Sequence, residues 1–241
     1  MNPFQTAVLG VVETVFPERC CLCGVDAADA PFTQRGEPVA GLRWWDRPHL
    51  CRRCEGELFG EGPRVRPARE GLPPVWSAAD TGPGLVRAVG NLKYHGVRGL
   101  DWPLARHMAE ALPAELPACR FVAVPLHRRR RRTRGFNQAG LLARLVGRRL
   151  GLEVDDGALV RSRATGQQAK LDDDLERRVN LAGAFAWRGA QPCRPIVLVD
   201  DIVTSGATAQ EAAGAVRRAG GYVMGVLACG AAVGDRGGRA G

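Results

Sequence analysis

Long apolar runs are missing from this sequence of 241 residues. No stretch approaches the roughly 18 or more apolar residues that a membrane-spanning helix needs. The opening segment MNPFQTAVLGVVETVF contains an apolar run, but Glu13 interrupts it, no basic segment precedes it, and no small-residue cleavage pattern follows. We therefore interpret this segment as a short amphipathic helix, and we expect a cytoplasmic protein without membrane insertion.

Lysine is scarce, and two nucleotide-binding motifs are absent. Only Lys93 and Lys170 are lysines, so arginine carries nearly all of the positive charge behind a formal net charge of +9. This charge predicts anionic partners such as nucleic acid, phosphorylated small molecules or anionic lipid, without choosing among them. No GxxxxGK[ST] loop occurs, and GPGLVR at 82–87 has Arg87 where GxGxxG requires its third glycine. The sequence thus supports neither an ATPase nor a dinucleotide-dependent enzyme.

Cysteines cluster near the start of the chain, as CCLC at 20–23 and CRRC at 51–54. In a reducing compartment, two CxxC pairs separated by a loop are typical of a tetrahedral zinc site. Four thiolates leave no open coordination position, so such a zinc would be structural. Cys21 is then surplus, His49 is a possible substitute ligand, and disulfides or free thiols are the competing explanations. The predicted zinc ligands are Cys20, Cys23, Cys51 and Cys54.

A segment rich in proline and charge, GEGPRVRPAREGLPP at 60–74, divides the chain. It cannot propagate a helix or a central strand, because proline lacks the N–H donor that both require. We therefore predict a zinc-binding module over 1–60, a linker over 61–74 and a second domain over 75–241. In that domain, short apolar strands alternate with helical patterns, which predicts an α/β fold with a mainly parallel sheet and flanking helices.

One strand of this sheet, in the segment IVLVDDIVTSGAT at 196–208, ends in two acidic residues. Open parallel sheets bind ligands at the carboxyl ends of their strands, so Asp200 and Asp201 are accessible to a ligand there. Both carboxylates are expected to face solvent and to contribute little to packing. The small and hydroxyl-bearing residues at 204–208 lead into a helix predicted to start near Ala207, and Gly206 permits a positive φ. This combination is typical of a phosphate site beside a sugar.

The alternative interpretation is structural: an ordinary strand, a capped turn and a helix, with the aspartates serving only as caps. The order of the apolar run, the acidic pair and the small-residue turn favours the functional interpretation, because a lone TSG would not require a ligand.

The segment at 196–208 resembles the phosphoribosyl pyrophosphate (PRPP) signature of type I phosphoribosyltransferases, and almost the whole chain is similar to the ComF family of competence-associated proteins. The other matching segments, in the family's order, are CCLCG, CRRCE, NLKYHG at 91–96, VPLHRRRRRTRGFNQA at 124–139, RSRATGQQAKL and RRVNLAGAF. The chain departs from the family in the extra Cys21 and in Ser205, where threonine is common. The resemblance implies a type I phosphoribosyltransferase-like domain, a small zinc-ribbon-like module, a PRPP pocket and an association with DNA uptake in natural transformation.

The resemblance also implies roles for individual residues. Asp200 and Asp201 would bind the ribose hydroxyls, and magnesium would be held mostly through PRPP oxygens and water. Lys93 is a weaker candidate for a ligand contact, since a lysine that ends a helix is commonly a partner of the helix dipole. The 5′-phosphate would be bound by Thr204, Ser205, Gly206, Ala207 and Thr208. The pyrophosphate loop would supply Leu126, His127, Arg128 and Arg134, with Asn137 and Gln138 at the start of the next helix. A flexible loop that closes over PRPP would supply Arg161, Thr165, Gln168, Arg177 and Asn180.

The run HRRRRRTRG at 127–135 has more arginines than one diphosphate can use. The surplus can contact a nucleic-acid backbone, or the run can be a solvated basic turn, and no aromatic residues interleave with it to stack bases. Two hypotheses follow. One is a phosphoribosyltransferase that uses Mg·PRPP with an unknown acceptor. The other is a non-catalytic accessory of the competence machinery that senses PRPP or handles single-stranded DNA.

Overall fold

The computed structural model describes residues 20–25, 50–94, 98–162 and 182–232. Six α-helices lie in these ranges, together with a 3-10 turn at Arg98–Leu100. The helices are α1 (Arg52–Phe59), α2 (Pro83–Tyr94), α3 (Asp101–Glu110), α4 (Arg128–Arg134), α5 (Gln138–Leu150) and α6 (Ala207–Arg218). The strands are β1 (Arg64–Arg66), β2 (Val75–Asp80), β3 (Arg120–Ala123), β4 (Glu153–Asp155), β5 (Leu159–Arg161), β6 (Phe185–Trp187), β7 (Ile196–Val203) and β8 (Val223–Ala231).

Six strands form the main sheet in the order β1-β2-β8-β7-β3-β4. β1 pairs antiparallel with β2, and the other four pairings are parallel. β5 and β6 form a separate antiparallel pair. Because neighbouring parallel strands point the same way, the carboxyl ends of β2, β3, β7 and β8 meet at one edge of the sheet.

Sequence patterns explain the central elements. The run Ile196–Val199 is fully buried, as expected for a strand covered on both faces of a parallel sheet. In α5, the buried residues Ala139, Leu142, Ala143 and Val146 recur at helical spacing and place one face on the sheet. Gly151 ends α5 in the left-handed conformation, at φ +67°.

Two apolar cores lie against the sheet, and the four-cysteine segment belongs to one of them. Its residues Cys20, Cys51, Cys54, Leu58 and Phe59 are buried in the same cluster as residues of α2, α3 and α5. The second core contains the alanine-rich face of α6 together with residues of β5 and β6. The cysteine segment therefore packs onto the α/β fold through apolar contacts.

The predicted mainly parallel α/β fold with an N-terminal four-cysteine module is confirmed. The arginine run forms the short helix α4, where a loop or a basic turn is expected. The segment GALVRS at 157–162 contributes β5 to a separate antiparallel pair and not to the main sheet. The proline-rich segment contains β1 at the edge of the sheet, which agrees with the exclusion of a central strand there. The module boundaries at 60 and 74 stay a prediction. Within the described ranges, no helix is long and apolar enough to cross a membrane.

Candidate functional site

β7 extends beyond its neighbour β3 at the edge of the sheet where the parallel strands end. β3 ends at Ala123, opposite Val199, and the N–H of Val124 still donates to the carbonyl oxygen of Val199 at 2.8 Å. β7 continues to Val203 and pairs on its other side with β8. The last residues of β7 therefore extend beyond the point where β3 leaves the sheet. Such a position is where open α/β sheets bind ligands.

The loop after β7 has the geometry of an anion site. Gly206 adopts φ +82°, which residues with a side chain rarely adopt, and α6 begins at Ala207 as the sequence predicted. Thr204 is exposed, while Ser205 and Thr208 are half-buried. The loop thus brings hydroxyl groups to the N-terminus of a 12-residue helix. Free N–H groups and the helix dipole favour a negative group at that end.

A turn at residues 69–72 packs against this loop. Arg69 and Leu72 exchange backbone hydrogen bonds of 2.9 and 3.0 Å, which close the turn. A Cβ atom on Gly206 would lie only 2.7 Å from Cδ2 of Leu72. The side chain of Gln210 in α6 donates to the carbonyl oxygen of Glu70 at 3.2 Å. Position 206 therefore requires glycine both for its φ angle and for the space that Leu72 occupies.

The acidic pair is partly buried, and a lysine forms an ion pair with one of its two carboxylates. Nζ of Lys93, in the last turn of α2, lies 2.8 Å from Oδ2 of Asp201, and these side chains are 20% and 13% exposed. The N–H of Asp201 donates to Oδ1 of Asp200 at 2.8 Å. Our expectation that both carboxylates face solvent is wrong, because β7 continues past them, both residues are only partly exposed, and the side chain of Asp201 pairs with α2 through Lys93.

The ionisation of Asp200 is strongly perturbed. Removal from solvent and then the negative charge of Asp201 raise the pKa of Asp200 to about 7, against the partial compensation that Lys93 and Arg161 provide. At neutral pH this carboxyl group is therefore close to its titration midpoint. Perturbed carboxyl groups of this kind concentrate at functional sites.

Arg161 brings a second positive charge toward the acidic pair. It is the last residue of β5, and its guanidinium carbon lies 5.3 Å from the centre of the Phe185 ring in β6. Burial and the nearby charge of Arg130 lower the pKa of Arg161, whereas Asp200 raises it. Its aromatic contact and its strand position hold this residue in place, although the family resemblance implies a flexible loop there.

The predicted pyrophosphate loop leads from β3 into α4. Leu126 and His127 are half-buried, and Arg128 is exposed at the start of the helix. Arg128, Arg131 and Arg132 line a recess of about 330 Å³. The segment therefore presents guanidinium groups on its surface, which is suited to phosphate recognition.

Two side chains at the start of α5 hold this arginine segment. Nδ2 of Asn137 donates to the carbonyl oxygen of Val124 at 3.1 Å, which ties the start of α5 to the end of β3. Arg134 donates to Oε1 of Gln138 at 3.3 Å, and Gln138 is fully buried. The ends of the arginine segment are thus fixed at the same sheet edge as the acidic pair.

The four predicted zinc ligands meet at one point. The sulfur atoms of Cys20, Cys23, Cys51 and Cys54 all lie within 4.8 Å of one another, and those of Cys23 and Cys51 are 3.7 Å apart. Tetrahedral zinc with Zn–S bonds of about 2.3 Å places its sulfur ligands about 3.8 Å apart. The spacing fits a metal such as zinc.

Backbone hydrogen bonds favour the thiolate form of one of these cysteines over its thiol form. Burial opposes the ionisation of Cys20, but backbone N–H donors, chiefly that of Cys51, outweigh it and lower the pKa of Cys20 to about 7. Burial raises the pKa of Cys51 and of Cys54. Cys21 is half-buried at the apolar core, and burial with the nearby charge of Cys20 raises its pKa to about 11. Its packing gives Cys21 a structural place outside the ligand set.

A polar contact fixes the cysteine module to α3. Oε1 of Glu55, next to Cys54, is paired with Arg106 and lies 2.8 Å from Nε2 of His107. The ring of His107 stacks on Phe59 with centroids 3.9 Å apart. Burial and the positive charge of Arg106 lower the pKa of His107 to about 4. The imidazole is therefore neutral at pH 7 and acts as a packing and hydrogen-bonding group.

The structure brings the described residues of the predicted phosphate, ribose and pyrophosphate segments to one sheet edge, and it pairs Lys93, the weaker candidate, with Asp201. The position of this lysine at the end of a helix predicts only a helix-dipole role. Its place in NLKYHG, a segment that carries the family resemblance, was the one sequence feature that indicated a role at the site. The pairing with Asp201 depends on a long-range contact between α2 and β7. His49 and four predicted residues of the flexible loop lie outside the described residues, and their roles stay predictions. Those four are Thr165, Gln168, Arg177 and Asn180.

Comparisons with known proteins identify relatives. The chain is 36% identical over 159 residues to "DNA utilization protein YhgH" of Escherichia coli O157:H7, covering 61% of this chain and 69% of the relative. It is 37% identical over 159 residues to the protein of the same name in Salmonella typhimurium, with the same coverage. It is 34% identical over 103 residues to "Competence protein F" of Haemophilus influenzae, covering 42% of this chain and 44% of that protein. The chain belongs to the ComF family.

No protein-family model matches this ComF-family chain. Among solved structures, it is similar to the protein TT1426 from Thermus thermophilus, with 19% identity and a TM-score of 0.34. That similarity covers 57% of this chain and 86% of the other.

Proposed function

We propose that this ComF-family protein binds Mg·PRPP at the carboxyl end of β7 and transfers its phosphoribosyl group to an acceptor. One observation carries the proposal: the acidic pair near the end of β7 is followed, after Ile202 and Val203, by a tight loop with a positive-φ glycine at the N-terminus of a helix. Carboxylates accept hydrogen bonds from vicinal hydroxyls, and the helix N-terminus binds a phosphate. A phosphorylated sugar is a ligand that satisfies both halves of this arrangement.

In this proposal the chain's own groups hold the three parts of PRPP. Thr204, Ser205 and the N–H groups at the start of α6 bind the 5′-phosphate. Asp200 and Asp201 accept hydrogen bonds from the ribose hydroxyls, and the arginines of α4 balance diphosphate charge. Magnesium bound to PRPP oxygens and water would neutralise part of the diphosphate charge.

The chemistry requires positioning more than a reactive side chain. The bond from ribose C1 to the diphosphate breaks with its electron pair on the departing oxygen, while the acceptor's lone pair forms the new bond to C1. Positive charge develops on the ribose, and carboxylates fixed beneath it favour that charge. The fixed geometry of β7 and of the loop keeps the sugar aligned between the leaving group and the acceptor.

Calorimetric titration with Mg·PRPP tests the binding proposal. The double variant Asp200→Asn/Asp201→Asn should lose at least about tenfold in affinity, since each carboxylate contributes charge-assisted hydrogen bonds. The control Glu115→Gln removes a carboxylate from an exposed loop and should bind as the wild type does. Unchanged affinity in a folded double variant would overturn the assignment of the acidic pair.

Turnover needs a separate measurement. The protein should release pyrophosphate from Mg·PRPP in the presence of one member of a panel of bases and amines. PRPP binding with no pyrophosphate release from any of them would favour the alternative, a non-catalytic PRPP sensor.

A second candidate function, contact with single-stranded DNA, is favoured by the exposed arginines that line the recess of α4. The names of the relatives refer to DNA utilization and competence, which agrees with an association with DNA uptake. Arg131→Gln/Arg132→Gln should flatten the log–log salt dependence of single-stranded DNA binding by about 1.4, at roughly 0.7 per lost phosphate contact. Arg148→Gln/Arg149→Gln removes the same charge from the exposed end of α5 and serves as the matched control. Equal loss in both variants would indicate non-specific attraction, and the arginine recess would not be a DNA site.

We also propose that the four-cysteine cluster holds structural zinc. The sulfur spacing supports it, as does the apolar core that the cysteines share with α2, α3 and α5. No position remains open for a substrate or a water molecule, so the metal would stabilise the module without taking part in transfer.

A further inference from the structure

Lys93 is placed to do more than neutralise a helix end. Its ammonium group lies 2.8 Å from Asp201 and is 20% exposed. Asp201 is one of the two carboxylates that the proposed function assigns to the ribose hydroxyls. A sugar that binds there therefore competes with Lys93 for the same carboxylate oxygens.

The surroundings make this competition costly for the lysine. Asp201 is only 13% exposed, and the neighbouring Asp200 is itself partly buried. A lysine that loses its carboxylate partner in such a place keeps a charge that is only partly solvated. It needs a new anionic partner within the reach of its flexible side chain. The 5′-phosphate is assigned to the loop at 204–208, so the remaining anion of the ligand is the diphosphate on C1.

We propose that Lys93 is a specificity-determining residue that exchanges Asp201 for the diphosphate of the ligand, and so selects PRPP over ribose 5-phosphate. This inference rests on the proposed function. When the ribose hydroxyls donate hydrogen bonds to Asp201, a ligand with a diphosphate provides a new anionic partner for Lys93. Ribose 5-phosphate displaces Lys93 from Asp201 but has no diphosphate with which the ammonium group can pair.

The two ligands give opposite expectations for one substitution. In Lys93→Met, affinity for Mg·PRPP should fall by about tenfold or more, because a charge-assisted contact is lost. Affinity for ribose 5-phosphate should stay within about threefold of the wild type or increase, since the competitor for Asp201 is gone. The ratio of the two dissociation constants is therefore the readout, and the preference for PRPP should fall by about tenfold or more.

Two further variants control for charge and folding. Lys93→Arg keeps a cation and should retain most of the preference for PRPP. Arg87→Met removes an exposed positive charge from the same helix and should leave both affinities unchanged. Thermal unfolding of each variant shows that the fold is intact.

The outcomes separate this inference from the proposed function. If the wild-type protein binds neither Mg·PRPP nor ribose 5-phosphate, the proposed function fails. If it binds PRPP and Lys93→Met weakens both ligands by the same factor, the lysine is a structural partner of Asp201 and the exchange is refuted. An unchanged ratio with unchanged affinities also refutes it.

Discussion

Replacing Asp200 by asparagine should stabilise the protein at neutral and basic pH when no ligand is added. Asparagine has nearly the same shape as aspartate, and its carbonyl oxygen can still accept the 2.8 Å hydrogen bond from the N–H of Asp201. The substitution removes a negative charge that is held beside another carboxylate in a partly buried position. A functional site commonly carries such a cost, and its removal commonly raises stability.

The sign and size of the change in the free energy of unfolding follow from the pKa of the Asp200 carboxyl group. In the folded protein the pKa of Asp200 is raised from 3.8 to about 7. Between these values the folded state binds more protons than the unfolded state, so the free energy of unfolding falls as pH rises through the interval. From pH 5.5 to 7 the fall is about 2 kcal/mol at 1.36 kcal/mol per unit, and solvent screening at this partly exposed group makes that an upper figure. Above about pH 8, where the group is ionised in both states, the contribution is constant.

Urea unfolding followed by circular dichroism measures this effect. The free energy of unfolding of Asp200→Asn, minus that of the wild type, should grow by about 1 to 2 kcal/mol between pH 5.5 and 8. Titrations of other groups are shared by both proteins and cancel in the difference. Asp201→Asn removes one of the charges that raise the pKa of Asp200, so its stability should fall less steeply than that of the wild type. A difference that is independent of pH would show that Asp200 is ionised throughout, and would refute the reasoning.

Four further predictions concern the loop at 204–208, the cysteine cluster and the pH dependence of ligand binding. Gly206→Ala should lower the free energy of unfolding by about 1 to 3 kcal/mol through its strained φ, and the clash with Leu72 should also weaken Mg·PRPP binding in calorimetry. Freshly reduced protein should contain about one zinc per chain by metal analysis; protein without zinc, or with oxidised CxxC pairs, would contradict the metal assignment. Cys54→Ser should lower the zinc content and the melting temperature, whereas Cys193→Ser, at an exposed cysteine, should change neither. Mg·PRPP affinity should increase as pH rises through about 7 and lose this dependence in Asp200→Asn, because ionised Asp200 is the better acceptor.

Local patterns in the sequence predicted the geometry of the loop at 204–208 well. The apolar run at 196–199 is buried, Gly206 has a positive φ, and α6 begins at Ala207. Each of these depends on residues that are adjacent in the chain, so short-range physics decides them. The two CxxC pairs also come together as expected, because the spacing within each pair already defines a knuckle.

Other parts of the site depend on contacts between distant segments. The pairing of Lys93 with Asp201 joins α2 to β7, and the packing of Leu72 against Gly206 joins a proline-rich turn to the loop at 204–208. Nothing in either local sequence specifies its partner. The arginine run is a helix where a loop or turn is expected, because arginine is a good helix former and the run has no glycine before Gly135. The expectation of a loop or turn at 127–135 relied on the motif and did not consider the helix propensity of arginine.

The balance of charge at the end of β7 restricts what the site can accept. Two carboxylates in a partly buried position would repel an anionic ligand if they stood alone. Lys93 is paired with one of them, and Arg161 lies close enough to Asp200 to lower its pKa. Lys93 and Arg161 therefore offset part of the charge of the carboxylates. A ligand that offers only phosphates takes the cations and leaves the carboxylates uncompensated, and a ligand that offers only hydroxyls does the reverse. Under the proposed function, a ligand with vicinal hydroxyls between two anionic groups satisfies both sets of charges together, and a phosphorylated ribose that carries a diphosphate on C1 has this chemistry.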